Sequence, residues 1–458
     1  MSKLGDFVRV QGGYAFKSSE LSDDKTGVPV IKIGNITGGS FVDLSNYQSV
    51  SFQLFEKTKS FATKDNDILI AMTGANVGKT SRVPVNSDAY LINQRVGRFL
   101  LKEDCPYTSD FIYYVVSSKQ AYQYFSRVAD GAAQPNISGK TIEDLEFPNI
   151  DSRFANKIGN ILKSLDDKIQ LNTQINQTLE QIAQTIFKSW FIDFDPVHAK
   201  ANALASGQTA EQATQAAMAV ISGKNTQELH RLQTANLEQY QQLWEIAEAF
   251  PSGFDEEGVP RGWGQTTLSE VCSMKNGYAF KSSDWTDEGI PVIKIGSVKP
   301  MIVEVDGNGF VDEEHSVLHS EFLLTEGDIV VGLTGYVGEV GRIPQGRTAM
   351  LNQRVAKFIP NKLNEQQDYY SFVYCLVRDK SFKAFAETNA KGSAQANIST
   401  KELLNYSIIL ASSEIQMKFE SLIKPLLDKI LVNSGNNENL SKVRDLLLPK
   451  LLSGEIHL

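Results

Sequence analysis

The sequence predicts an α+β chain: two similar mixed α/β domains separated by two long, antiparallel paired helices, with an internal pseudo-twofold repeat. Three observations carry this reading. Stretches of the first half return in the second at an offset of about 260 residues. Short β-type runs bounded by turn signals fill each copy. An extended helical pattern with a sevenfold spacing follows each.

The repeat is explicit. "GGYAFKSSEL" at 12–21 returns as "NGYAFKSSDW" at 276–285, and "GVPVIKIGNI" at 27–36 as "GIPVIKIGSV" at 289–298. "DILIAMTGANVGK" at 67–79 returns as "DIVVGLTGYVGEV" at 328–340. "LINQRVGRF" at 91–99 returns as "MLNQRVAKF", and "GAAQPNISGKTIEDL" at 131–145 as "GSAQANISTKELLNY". A single large repeat of this kind is a duplication and not a short-period solenoid. It divides the chain into a first module at 1–150, a long helix at 151–190, a helical connector at 191–262, a second module at 263–410 and a second long helix at 411–458.

Within each module the runs "VPVIKIGNI", "DILIAM" and "RVGRFLL", with their second copies, read as strands, and 109–129 reads as helical. The first long helix is expected over about 154–190, roughly 55 Å. Its seam runs Ile161, Leu165, Lys168, Asn172, Ile175, Leu179, Ile182, Ile186. The second runs Leu422, Leu426, Lys429, Asn433, Asn436, Leu440, Val443, Leu447. Polar residues on a seam weaken packing but fix register. The alternative is that each helix rotates there and Ile169 and Ile430 take over. Pro425 predicts a kink or a late start in the second helix. Neither helix buries its seam alone, so the two are expected to pair. The Ala- and Gln-rich connector reads as further helices.

Composition narrows the function. A chain of 458 residues holds two to four domains. It has no long apolar run and its N-terminus lacks the apolar core of a signal peptide. Cys105, Cys272 and Cys375 are scattered, which argues against disulfides and a zinc site and for a reducing cytoplasm. The net charge of −9 counts against DNA binding unless positive charge gathers on one face or comes from a partner.

No stretch reads as an active site. "MTGANVGKT" at 72–80 is close to a phosphate-binding loop, but one residue is missing between Gly74 and Gly78, and a strand follows where a helix is needed. The second copy puts Glu339 and Val340 where the first has Lys79 and Thr80, and a phosphate cradle does not exchange its lysine for glutamate. What both copies keep is Thr-Gly then Val-Gly, which fits tight turns needing positive φ. "FIDFDPVHAK" at 191–200 offers Asp193, Asp195, His198 and Lys200, but reads as a helix end and turn broken by Pro196. His315 and His319 lack a third strong ligand and read as solvated. There is no Gly-x-Ser-x-Gly, no cysteine–histidine pairing and no adenine methyltransferase motif. Two modules without catalytic apparatus suit a molecule that reads two places at once. DNA offers such a target, since one turn of about 34 Å is within reach of the helices.

The duplicated Thr-Gly turns, the paired "NQR" and "Q-x-NIS" motifs, "FIDFDPV-x-AK" and the ending "LLLPKLLSGEI" together resemble the specificity subunit of a Type I restriction-modification system, over essentially the whole chain. The resemblance implies two target-recognition domains, each reading half of a bipartite double-stranded DNA target, with the helices setting the unread gap. It implies docking of two methyltransferase subunits that use S-adenosylmethionine, and of endonuclease/translocase subunits that use ATP and magnesium. The chain itself would then bind no cofactor and catalyse nothing.

If the halves read different bases, base-reading residues should differ between copies, and shared residues should hold the fold or touch phosphate. Lys17/Lys281, Lys32/Lys294 and Arg95/Arg354 are shared and are assigned to phosphate or structure. Asn76 and Lys79 differ from Tyr336 and Glu339 on one turn, and are candidates for base reading. The divergent loops 37–60 and 299–320 are others. The rival readings are a nucleotide hydrolase using 74–80, a protein scaffold that reads no DNA, and a specificity subunit of a methylate-only or fused-enzyme system.

Overall fold

The computed structural model describes residues 2–85, 88–129, 135–392, 395–453 and 455–456. Contacts divide the chain into two compact units: residues 1–170 with 438–458, and residues 171–437. Each unit holds one module together with part of both long helices.

In the first unit, strands Val8–Gly12, Val96–Leu101, Ile68–Ala71 and Thr80–Arg82 form one antiparallel sheet in that order. A smaller sheet joins Gln48–Val50, Val28–Ile31 and Leu91–Ile92. The expected helix over 109–129 is two helices, Ser109–Val116 and Lys119–Val128. Thr108 and Ser118 cap them by accepting from the Phe111 and Ala121 amides. The second unit repeats this plan. Its main sheet runs Met301–Ile302, Val340–Arg342, Ile329–Gly332, Val355–Pro360, Cys272–Asn276, and helices Tyr370–Arg378 and Lys380–Asn389 pack on it. In the same unit the connector forms helices Asp195–Ala205, Ala210–Ser222, Thr226–Ala235 and Leu237–Ala249. Pro196 does not end structure there. It occupies the first turn of a new helix, where its missing N–H costs nothing. Lys200 is buried and donates to the carbonyls of Ala247, Glu248 and Phe250 at the end of the last connector helix.

The long helices span Ser152–Phe191 and Ser413–Leu452, each 40 residues. The second runs from Ser413 through Pro425, so it does not start late. Pro425 and Ser421 are exposed, so water can serve the carbonyl that the proline leaves unpaired. Of the expected seams, Asn172 and Asn433 are buried and Ile186 and the leucines other than Leu422 half-buried, but several members face outward. Ile161, Ile175, Ile182, Leu422 and Val443 are exposed, as are Lys168, Lys429 and Asn436. The buried line of the first helix is Ala155, Ile158, Leu162, Asp166, Asn172, Asn176, Glu180, Ala183 and Phe187. Ile430 is buried, in keeping with the rotated alternative.

The polar members of this line are paired. In the second unit, Asn172 Nδ2 donates to Asn437 Oδ1 at 2.8 Å, and Asn433 Nδ2 donates to Asn176 Oδ1 at 2.9 Å. Asn433 and Asn437 are the repeat counterparts of Asn172 and Asn176. The pairs are therefore exchanged as a twofold contact requires, and the helices run antiparallel. Tyr374 Oη and Arg378 Nε both donate to Glu180, at 2.8 and 3.2 Å. Glu420 accepts from the amides of Ser371 and Phe372 and so caps a module helix from the long helix. In the first unit, buried Asp166 accepts from Arg82 at 2.7 Å, Arg444 at 2.6 Å and Tyr114 at 2.6 Å.

Two outcomes follow. Asp166→Ala leaves two guanidinium groups without their shared carboxylate and should destabilise the first unit by about 3–5 kcal/mol. Hydrogen exchange should show that unit opening at lower denaturant than wild type, and unchanged exchange would contradict the role. Burial raises Glu420 from 4.5 to about 7, against the opposing Ser371 and Phe372 hydrogen bonds. The folded form thus holds the proton longer than the unfolded chain, and stability falls as pH rises from about 4.5 to 7. The decline is up to about 3 kcal/mol. Denaturation midpoints at pH 5 and pH 8 should differ less in Glu420→Gln, and an unchanged difference would sink the assignment.

Candidate nucleic-acid interface

Four shared motifs, distant in sequence, are joined by backbone hydrogen bonds in each unit. In the first unit the Thr-Gly turn connects strands Ile68–Ala71 and Thr80–Arg82. It closes through Gly78 N to Ala71 O and Ala71 N to Lys79 O, both 2.9 Å. The turn pairs with the "NIS" segment through Gly74 N to Pro135 O and Ile137 N to Met72 O, and with "NQR" through Met72 N to Arg95 O. "NQR" in turn meets "GYAF" through Gln94 N to Tyr14 O. The second unit repeats every link: Gly335 N to Ala396 O, Ile398 N to Leu333 O, Leu333 N to Arg354 O, Gln353 N to Tyr278 O.

Glycine is needed for this geometry. Gly74, Gly78, Gly335 and Gly338 have φ of 75°, 83°, 74° and 75°. A Cβ on Gly13 or Gly277 would lie 2.2 or 2.1 Å from the carbonyl oxygen of Ile92 or Asn352. The following strand and these turns also dispose of the phosphate-loop likeness, because no helix N-terminus follows residue 80.

The candidate residues divide by their surroundings. Lys17 and Lys281 are exposed, with backbone amides donating to Glu20 and Asp284. Arg95 and Arg354 are exposed beside the Thr-Gly turns, and Arg354 Nη1 donates to Gln395 Oε1 at 3.3 Å. Lys32 is engaged by Gln48, and Lys294 Nζ sits 3.8 Å from the centre of the Trp285 ring, so both are partly occupied within the protein. Asn76 Nδ2 donates to Ile33 O at 3.1 Å, and a bidentate pairing with adenine would have to break that bond. Glu339 pairs with Lys383 at 2.8 Å and Arg378 at 3.6 Å. The repeat counterpart of Lys383 is Tyr122, which approaches Gly78, so the turn and the helix beneath it differ together between units. Tyr336 stands 68% exposed at the tip of its turn. Lys79 lies alongside Gly38.

In the first unit an open depression of about 430 Å³ is lined by Met72, Thr73, Gln94, Arg95 and Asn136. Thr73, Gln94 and Asn136, with Thr334, Gln353 and Asn397, were not singled out from sequence, and nor were the exposed lysines Lys140 and Lys401. All lie in or next to the repeated motifs, so the repetition itself was the available signal. The histidines are not simply solvated: His315 Nδ1 is 2.7 Å from Asp312 Oδ1, and His319 stacks on Tyr278. Among the described residues there is no cluster of three or more histidine, cysteine, aspartate or glutamate side chains that would hold a metal. No described helix is long and apolar enough to cross a membrane.

Known proteins match this arrangement. The model of the Type I restriction modification DNA specificity domain matches residues 1–181 and 260–442, one match for each repeat. The Type I restriction enzyme HindI specificity subunit of Haemophilus influenzae is 32% identical over 446 residues, covering 94% of both chains. The MjaIX specificity subunit of Methanocaldococcus jannaschii is 25% identical over 445 residues, covering 93% of this chain and 89% of that one. In fold, the chain is similar to the crystal structure of a Type I restriction-modification S subunit from M. genitalium, with a TM-score of 0.51 and 16% identity over 98% of this chain and 94% of that one.

The turn's geometry is testable. Gly78→Ala combines positive φ with a Cβ 2.8 Å from that of Phe125, and should cost about 1–3 kcal/mol locally. Amides of residues 72–79 should then exchange faster than in wild type. Gly34→Ala, with open space around its Cβ, should leave them unchanged; equal effects in the two variants would refute the steric account.

Proposed function

The chain belongs to the family of Type I restriction-modification DNA specificity subunits and serves in target recognition; from that premise we propose how its two repeats divide the task. Each unit reads one half of a bipartite double-stranded DNA target. The observation that carries this is the paired interface: the same four motifs are assembled in both units, while the Thr-Gly turn differs at its exposed tip, Ala75 against Tyr336, and at half-buried Asn76, Lys79 and Glu339. A common scaffold with different side chains at its tip is what two different half-sites require.

On this reading Lys79 in the first unit and Tyr336 in the second contact base edges. Arg95, Arg354, Lys17 and Lys281 contact the backbone, and Lys32, Lys294, Asn76 and Glu339 shape the surface from beneath. The long helices set the unread gap and offer their exposed apolar positions to two methyltransferase subunits. Those partners bring S-adenosylmethionine, endonuclease/translocase subunits bring ATP and magnesium chemistry, and this chain contributes recognition without catalysis. The assembly works in the cytoplasm.

The test is co-expression with a methyltransferase subunit of the same locus in a host lacking other DNA methylation, followed by sequencing that detects modified adenine. One bipartite motif, dependent on this chain, is expected. Lys79→Ala should change one half of that motif and spare the other. Uniform loss of methylation without a change of motif would move Lys79 from the bases to the backbone or the fold.

A further inference from the structure

Building on the recognition role above, we infer that the depression formed by Thr73, Gln94, Arg95 and Asn136 clamps a phosphodiester of the DNA backbone, and that Thr334, Gln353, Arg354 and Asn397 do the same in the second unit. The first argument is identity. These four positions are the same in both repeats, whereas Asn76/Tyr336, Lys79/Glu339 and Tyr122/Lys383 around them differ. Two units that read different bases cannot use the same side chains for reading. What is common to every base pair is its phosphates.

The second argument is chemistry. Each set offers one guanidinium, two primary amides and a hydroxyl, which are donors suited to anionic oxygens. The Thr73 hydroxyl is buried at the depression and has no hydrogen-bond partner. A buried hydroxyl without a partner is costly, and an acceptor entering the depression would satisfy it. In the second unit the equivalent Thr334 hydroxyl donates to Asn397 Oδ1 at 2.8 Å, and Gln395 holds the Arg354 guanidinium. That leaves the amide nitrogen of Asn397 and the rest of the guanidinium to an outside acceptor. Lys140 and Lys401, exposed and four residues beyond Asn136 and Asn397, add a shared positive charge on the short helix that follows.

The third argument is rigidity. The four segments are zipped by backbone hydrogen bonds, so the donors are arranged before DNA arrives.

The experiment uses the full chain in complex with its methyltransferase subunit. Binding of Arg95→Ala, Arg95→Lys, Asn136→Ala and Arg354→Ala is measured across salt concentrations, on a duplex carrying the mapped motif and on one without it. Arg95→Ala and Arg354→Ala should each weaken both duplexes by the same factor and reduce the salt slope by about one. Asn136→Ala should also weaken both duplexes by a common factor. Arg95→Lys should recover most of the loss, since a phosphate accepts a point charge and a guanine edge wants the fork. The modified motif should be unchanged in all four. A motif altered at a base position, or unchanged affinity and slope in both alanine variants of the arginines, would overturn the clamp. If the wild-type complex gives no chain-dependent motif, the recognition role fails instead, and the salt slopes on unrelated DNA still decide the clamp.

Discussion

The buried amides of the helix pair are the constraint on which the architecture turns. Asn172 with Asn437, and Asn176 with Asn433, satisfy one another only in one register. Each helix carries its two asparagines four residues apart, so a slip of one turn would keep one asparagine pair and break the other, and a buried polar group without its partner costs more than its bond contributes. An all-aliphatic seam would pack as tightly but tolerate more alignments. The carboxylates then attach each module to the helices. Asp166 gathers Arg82 and Arg444 in the first unit, and Glu180 and Glu420 hold Tyr374, Arg378 and a helix terminus in the second. The shared buried arginines Arg82 and Arg342 reach the long helices at equivalent positions, Asp166 and the Leu427 carbonyl, while the carboxylates around them differ between the units.

The recognition surface separates support from reading in the same way. Its support is backbone: strand, turn and loop segments linked by N–H to carbonyl bonds that any side chain permits, apart from the glycines. Side chains at the tip are then free to vary. This explains how Lys79 and Glu339 can occupy one position without a change of fold. Glu339 is compensated locally by Lys383 and Arg378, and where the first unit has Tyr122 no such compensation is required.

The repeat, the β-rich modules, the glycine turns and the long helices were all legible in the sequence, because each rests on a local pattern or on a copy of it. The phase of the helix seam was not. Counting apolar residues places Ile161, Ile175 and Ile182 on the seam beside Asn172; Asn172 is buried, but the three isoleucines are exposed, and Asp166, Asn176 and Glu180 are buried instead. Burial of a polar residue depends on a partner far away in the chain, and no local period reports it. Whether Pro425 would delay the helix was illegible for a related reason, since its cost depends on whether its turn faces water. At the recognition surface, charge drew attention to Lys32, Lys294 and Glu339, which the structure engages internally. The neutral Thr73, Gln94 and Asn136 carried no such signal beyond their repetition.

These side-chain assignments also bear on the chain's acidity. Of the shared cations, Lys32 and Lys294 are partly consumed by Gln48 and the Trp285 ring. Within the repeated motifs that leaves Arg95, Lys17 and Lys140, with Arg354, Lys281 and Lys401, as exposed shared charge. Against a net charge of −9, a few cations per unit give little long-range attraction for DNA. Their effect is short-range, where preorganised donors count for more than total charge. On the proposed reading, such a surface discriminates at contact more than it attracts DNA from a distance. Sequence choice can then change at the turn tips without disturbing the shared donors beneath them.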